Sequence, residues 1–143
     1  MKISTRGRYA LRVMIDIAEH GSDSYIPLKD IVARQSISQK YLEGIMTDLV
    51  KAGLIDGLHG KGGGYKLNRA PDMYTIGDIL RVAEGDLAPI SCLEKNAPVC
   101  ERAGECRTLP MWEKFYNLIN EYFDGIKLSD LMSKDSVENN YVI

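Results

Sequence analysis

Histidine is scarce in this chain. The two present, His20 and His59, lie far from each other and from every cysteine in sequence. That excludes a paired-histidine metalloenzyme motif and leaves no Ser/His/Asp or Cys/His set to assemble for nucleophilic catalysis. Cysteine is limited to three residues, an odd number with no Cys-x-x-Cys pair. Such a set suits neither a fully paired disulfide framework nor the usual zinc-ribbon spacing. No apolar run is long enough to cross a bilayer, and no basic-then-apolar leader opens the chain, so the expected location is the cytoplasm, with no membrane partner. The glycines at 60–64 are not followed by Gly-Lys-Ser/Thr or by an immediate helix, so they are not a nucleotide phosphate loop. Catalysis is therefore not expected.

What is present is concentrated. Cys92, Cys100 and Cys106 all fall in segment 91–107, which is rich in Glu, Lys and Arg, carries Pro98 and Gly104, and has no sustained apolar period. Structural thiols are ordinarily scattered among apolar neighbours, whereas gathered thiols in a polar loop call for a chemical use. Iron–sulfur clusters and zinc both bind deprotonated sulfur; bare redox thiols are the other reading.

The net charge of −2 hides an asymmetry. Residues 1–70 carry eleven Lys/Arg against seven Asp/Glu, whereas residues 71–143 carry seven against thirteen. A basic front half on an acidic protein hints at a polyanionic partner. Lys2, Arg6 and Arg8 form a basic opening segment ahead of a first helix read over 9–19, which carries Ala10, Val13, Met14, Ile17 and Ala18 on one face. A short second helix follows Pro27. A third starts after Ser38, a good N-cap, with Leu42, Ile45, Met46 and Leu49 inward. Two short tandem helices make a helix-turn-helix, and the first residues of the second would meet base edges in the major groove. Next, 54–58 and 65–68 read as paired strands around a glycine-rich tip, 59–64, that can bring backbone close to a narrow groove. Together, residues 1–70 read as a winged helix-turn-helix that binds double-stranded DNA.

A fourth, connecting helix is expected over 74–84 within segment 71–90, with Thr75 as its cap. Beyond the cysteine loop, Pro110 marks a long helix in segment 108–133. On it Trp112, Phe115, Tyr116, Ile119, Tyr122 and Phe123 recur at helical spacing. A chain this short cannot bury all of that stripe alone, so a self-complementary interface is expected. A homodimer would then read a palindromic operator. A short terminal helix near 128–132 and a polar tail, 134–143, complete the reading. The fold class is mainly α with one small β-hairpin.

Three of these segments resemble the Rrf2 superfamily of bacterial regulators, closest to its IscR and NsrR branches. They are the opening Met1–Arg12, the Ile37–Glu43 helix start and the Gly60–Tyr65 wing; the cysteine triplet ahead of a Trp-bearing helix shares the likeness. The resemblance implies a homodimeric winged-helix transcription factor whose promoter binding is controlled by an iron–sulfur cluster. It implies Cys92, Cys100 and Cys106 as cluster ligands, 2Fe–2S being favoured over 4Fe–4S. It implies Ser38, Gln39, Lys40, Tyr41 and Glu43 in the major groove, and His59, Gly60 and Lys61 at the minor groove. The fourth ligand stays open. Leu109 stands where the IscR type has histidine, and Arg8 lies where the NsrR type has aspartate. Glu94, Glu101, Glu105, a residue from a dimer partner or a small exogenous ligand remain. A cluster-free alternative, the CymR type, acts through a protein partner or redox thiols.

Overall fold

A computed structural model of the chain describes residues 2–21 and 23–133. Helix α1 (Thr5–His20) begins four residues ahead of the expected start. Ser4 caps it, its hydroxyl accepting the Gly7 N–H at 3.1 Å. Arg6 and Arg8, expected in a loose basic terminus, therefore lie in the first turns of α1. The helix has no acidic residue in its first turn, and cations there oppose the helix dipole, which is why the segment does not read as helical. The Ser4 amide and hydroxyl both donate to one carboxylate oxygen of Glu84, each at 2.7 Å. Arg6 donates to the Gly44 carbonyl at 3.1 Å and pairs with Asp48.

Helix α2 (Leu28–Gln35) follows Pro27, whose fixed φ suits the entry to a helix. Helix α3 (Gln39–Lys51) is capped by Ser38, which accepts the Tyr41 N–H at 3.2 Å. Leu42, Ile45, Met46 and Leu49 are buried, as their spacing requires. Strands β1 (Ile55–Leu58) and β2 (Gly64–Leu67) pair antiparallel, with Ile55 opposite Leu67 and Leu58 opposite Gly64. The hairpin is also stitched to the segment before α2. The Ile26 N–H donates to the Tyr65 carbonyl at 2.8 Å, and the Tyr65 N–H donates back to the Ile26 carbonyl at 2.9 Å. Gly64 permits this approach: its φ is +144°, and a Cβ there would sit 2.1 Å from the Ile26 oxygen.

Helix α4 (Ile76–Glu84) opens with a capping box between Thr75 and Asp78. It lies against α1 and α3 and shares their core, built around Val13, Met14, Ile31, Leu42, Ile79 and Leu80. The buried Tyr74 donates its hydroxyl to the Leu54 carbonyl at 2.7 Å, tying the hairpin to α4. Helix α5 (Leu109–Asp124) is pinned to α4 by Arg81, which donates to Asp124 at 2.8 Å and Asn120 at 2.9 Å. The short terminal helix expected near 128 is a single 3-10 turn, Leu128–Leu131, with Leu128 fully buried. The polar tail lies outside the described residues. Among the described residues the fold is thus five α-helices and one two-stranded hairpin.

Candidate nucleic-acid interface and cysteine loop

Because α3 buries one side, its other side is free. Ser38, Gln39, Lys40, Tyr41, Glu43 and Thr47 are exposed. Gln39 donates to the Glu43 carboxylate at 3.1 Å, and the Thr47 hydroxyl donates to the Glu43 carbonyl at 2.8 Å. Tyr41 meets the Tyr9 ring edge-on at 5.7 Å, so α1 holds it, while Arg12 lies 5.0 Å over the other aromatic partner, Tyr9. Among the described residues, neither Lys40 nor Lys61 is paired with a carboxylate. At the hairpin tip His59, Gly60 and Lys61 are exposed; Gly60 (φ +90°) and Gly62 (φ +78°) turn the chain in open space. The tip and the far half of α3 border one cleft, so the helix and the hairpin share a face. Burial pushes the Tyr65 hydroxyl pKa up, and the Glu43 charge pushes it further.

Segment 91–107 is mostly turns, with one 3-10 turn at Ser91–Leu93. Asp86 fixes its base by accepting the Ala88 N–H at 2.9 Å and the Lys95 N–H at 2.8 Å. All three cysteines are free thiols, Cys92 and Cys100 exposed and Cys106 partly so. Cys92 and Cys100 open into one hollow of about 530 Å³, and of the three loop glutamates only Glu94 lines it. Cys106 lies outside that hollow, beside the start of α5. Its sulfur is 3.6 Å from the Thr108 hydroxyl. That hydroxyl, and then the Thr108 and Leu109 amides, hold the thiol below its ordinary pKa. Three accessible thiols, one biased toward thiolate, are suitable donors for an iron–sulfur group. They are not gathered: among the described residues no three metal-ligating side chains converge.

The α5 stripe divides into two faces. Tyr116, Ile119 and Phe123 pack against the chain's own core. Met111, Phe115, Leu118 and Tyr122 point outward with 41–66% exposure, and Trp112 is half-buried beside Phe115, ring centroids 6.4 Å apart. Met111 and Leu118 were not singled out from sequence. Their four- and three-residue spacing to Phe115 and Tyr122 is the signal that marks them.

A helix-turn-helix followed by a glycine-tipped hairpin on the same face defines a winged-helix transcription regulator, a DNA-binding protein rather than an enzyme. The chain belongs to the Rrf2 family, described as iron-dependent transcriptional regulators, which it matches over residues 3–134. It is 36% identical over 138 residues to the transcriptional regulator IscR of Aliivibrio salmonicida, covering 96% of this chain and 81% of that protein. It is also 37% identical over 133 residues to the regulator CymR of Bacillus subtilis, covering 93% and 91%. Among solved structures, Bacillus subtilis CymR, the global cysteine regulator of that organism, superposes with a TM-score of 0.71 at 37% identity, covering 92% of this chain and 95% of that one. The IscR of T. potens superposes with a TM-score of 0.72 at 36% identity, covering 100% and 93%. No described helix is long and apolar enough to cross a membrane.

Proposed function

We propose that this regulator acts as a homodimer on a palindromic operator, and that an iron–sulfur cluster held by Cys92, Cys100 and Cys106 sets its affinity. The observation that carries the reading is the placement of three free thiols on one polar loop ending at α5, whose outward face is apolar and uncovered. Gln39, Lys40 and Glu43 would read base edges from α3, with Ser38 and Tyr41 positioning that helix start. His59, Gly60 and Lys61 would enter the adjacent minor groove. Phe115, Leu118 and Tyr122 would meet their copies in the second subunit, with Met111 and Trp112 at the margin. When bound, a cluster supplies thiolate–iron bonds that respond to oxidants and iron supply. The chain's own contribution is to hold the loop base through Asp86, to carry two donors in one hollow, and to keep the Cys106 sulfur biased toward the anion.

The separate position of Cys106 favours one alternative, a cluster-free regulator of the CymR type whose thiols respond directly. Iron and sulfide analysis with Mössbauer spectra of anaerobically prepared protein decides between them. The cluster reading expects coloured protein, bleached by replacing any one of the three cysteines with serine. Iron-free protein whose DNA affinity changes on thiol oxidation supports the alternative. Stoichiometric zinc, or DNA affinity unchanged when all three thiols are removed, overturns both.

A further inference from the structure

Pro27 and Leu28 at the start of α2, Val50 on α3 and Leu58 on β1 form the apolar floor of the cleft between α3 and the wing. The cleft measures about 560 Å³, within the roughly 300–1,000 Å³ range of small-molecule sites. Val50 and Leu58 remain 38% and 49% exposed. A sugar–phosphate backbone passing between helix and wing makes no use of such a floor, since its contacts are with charges and hydrogen-bond donors. The rim is of opposite character. Lys29 and Lys51 stand on it with the His59 imidazole, and no aspartate or glutamate lines the cleft. Neither lysine is paired with a carboxylate among the described residues. The half-buried Tyr65 offers an aromatic wall.

We propose that this cleft binds a small organic anion with an apolar body, of the aromatic carboxylate class, and that its occupancy excludes DNA. The apolar body desolvates Val50 and Leu58, and the carboxylate meets Lys29 and Lys51 at the rim. Exclusion follows from position, because the cleft lies between the two elements that the DNA reading uses. That second half rests on the proposed groove contacts; the binding itself does not. The site would give the regulator a chemical input separate from its cysteines.

The probe is 2-naphthoate, with neutral 2-naphthamide as its charge-free counterpart, titrated into the full-length protein and followed by amide NMR. Gly57, Gly60, Gly63 and Gly64 line the cleft and report occupancy directly. Saturable shifts at these glycines, and binding about tenfold weaker for the amide or for the Lys29→Gln/Lys51→Gln double variant, support the proposal. Both substitutions are at exposed positions, so the variant keeps its fold. No saturation at millimolar probe, equal affinity for the amide, or shifts confined to α5 overturns it. So does a double variant that loses DNA affinity evenly across sequences while the probe never binds, which makes the cleft a passage for the backbone alone. A probe that binds the cleft without displacing operator DNA overturns the exclusion. A wild-type protein that binds no DNA at all overturns the groove reading instead, and the probe titration still stands.

Discussion

Asp16, fully buried on α1, is held by two donors of the Arg34 guanidinium on α2, Nη2 at 2.8 Å and Nε at 3.0 Å, with Gln35 donating to it at 2.8 Å. Burial alone would raise the Asp16 pKa. The hydrogen bonds from Arg34 and Gln35 more than offset it, so the carboxyl lies below its ordinary value. A depressed native pKa means that the contribution is complete above the unfolded value of about 3.9 and is lost as pH falls from there toward the native pKa. Asp16→Asn should cost about 2–4 kcal/mol at neutral pH, by leaving Arg34 partly unpaired. It should also flatten the acid limb of the stability curve, as measured by urea unfolding between neutral pH and the acid transition.

Gly64 carries a second prediction. A side chain there meets the Ile26 carbonyl, and the backbone conformation disfavours one in any case. Gly64→Ala should lower stability by about 2 kcal/mol or more. It should also weaken DNA binding beyond what a Gly60→Ala change at the open tip produces. Thermal unfolding and operator titrations on the two variants make the comparison.

The divided α5 stripe separates folding from assembly. Ile119→Ala removes buried volume and should destabilise the subunit by about 2–4 kcal/mol. Leu118→Glu alters a 53% exposed position; it should leave subunit folding intact and weaken self-association at least about tenfold. Sedimentation velocity across a concentration series, alongside thermal melts, distinguishes the two. A monomeric wild type would remove the dimer reading.

In iron-free protein the three thiols should differ in reactivity. The Thr108 hydroxyl and neighbouring amides favour the Cys106 thiolate, so Cys106 should be alkylated first at neutral pH. Thr108→Val should slow it toward the rates of Cys92 and Cys100. Mass mapping after brief iodoacetamide exposure reads this out. Equal labelling of all three would contradict it.

For DNA, Lys61→Ala should weaken binding to all sequences evenly and reduce the salt slope by about one. Gln39→Ala or Glu43→Ala should change which bases are preferred. Operator-variant titrations at several salt concentrations give both readings.

Helix α3 was legible because Ser38 and the stripe Leu42, Ile45, Met46 and Leu49 state the same boundary and the same face. The wing was legible from glycines set between two short strand segments. The start of α1 was not, since Arg6 is explained by a partner forty-two positions away, Asp48. On α5, an apolar stripe broad enough to include Trp112 and Phe123 contains two faces, and periodicity alone cannot say which meets its own core. Composition singled out the cysteine segment, but that two thiols share a hollow while the third sits at a helix start depends on loop backbone that no period encodes. The cleft was invisible because its walls come from three separated stretches, 27–29, 47–51 and 57–65.

The double grip of Ser4 on Glu84 has a mechanical consequence. Glu84 is the last residue of α4, and the chain leaves it through Gly85 toward the thiol-bearing segment. At the second residue of α1, Arg6 clasps α3 at Gly44 and Asp48. Two clasps on the outside of the molecule therefore connect the exit of α4, which leads to the thiol-bearing segment, with α3, the helix proposed to face the bases.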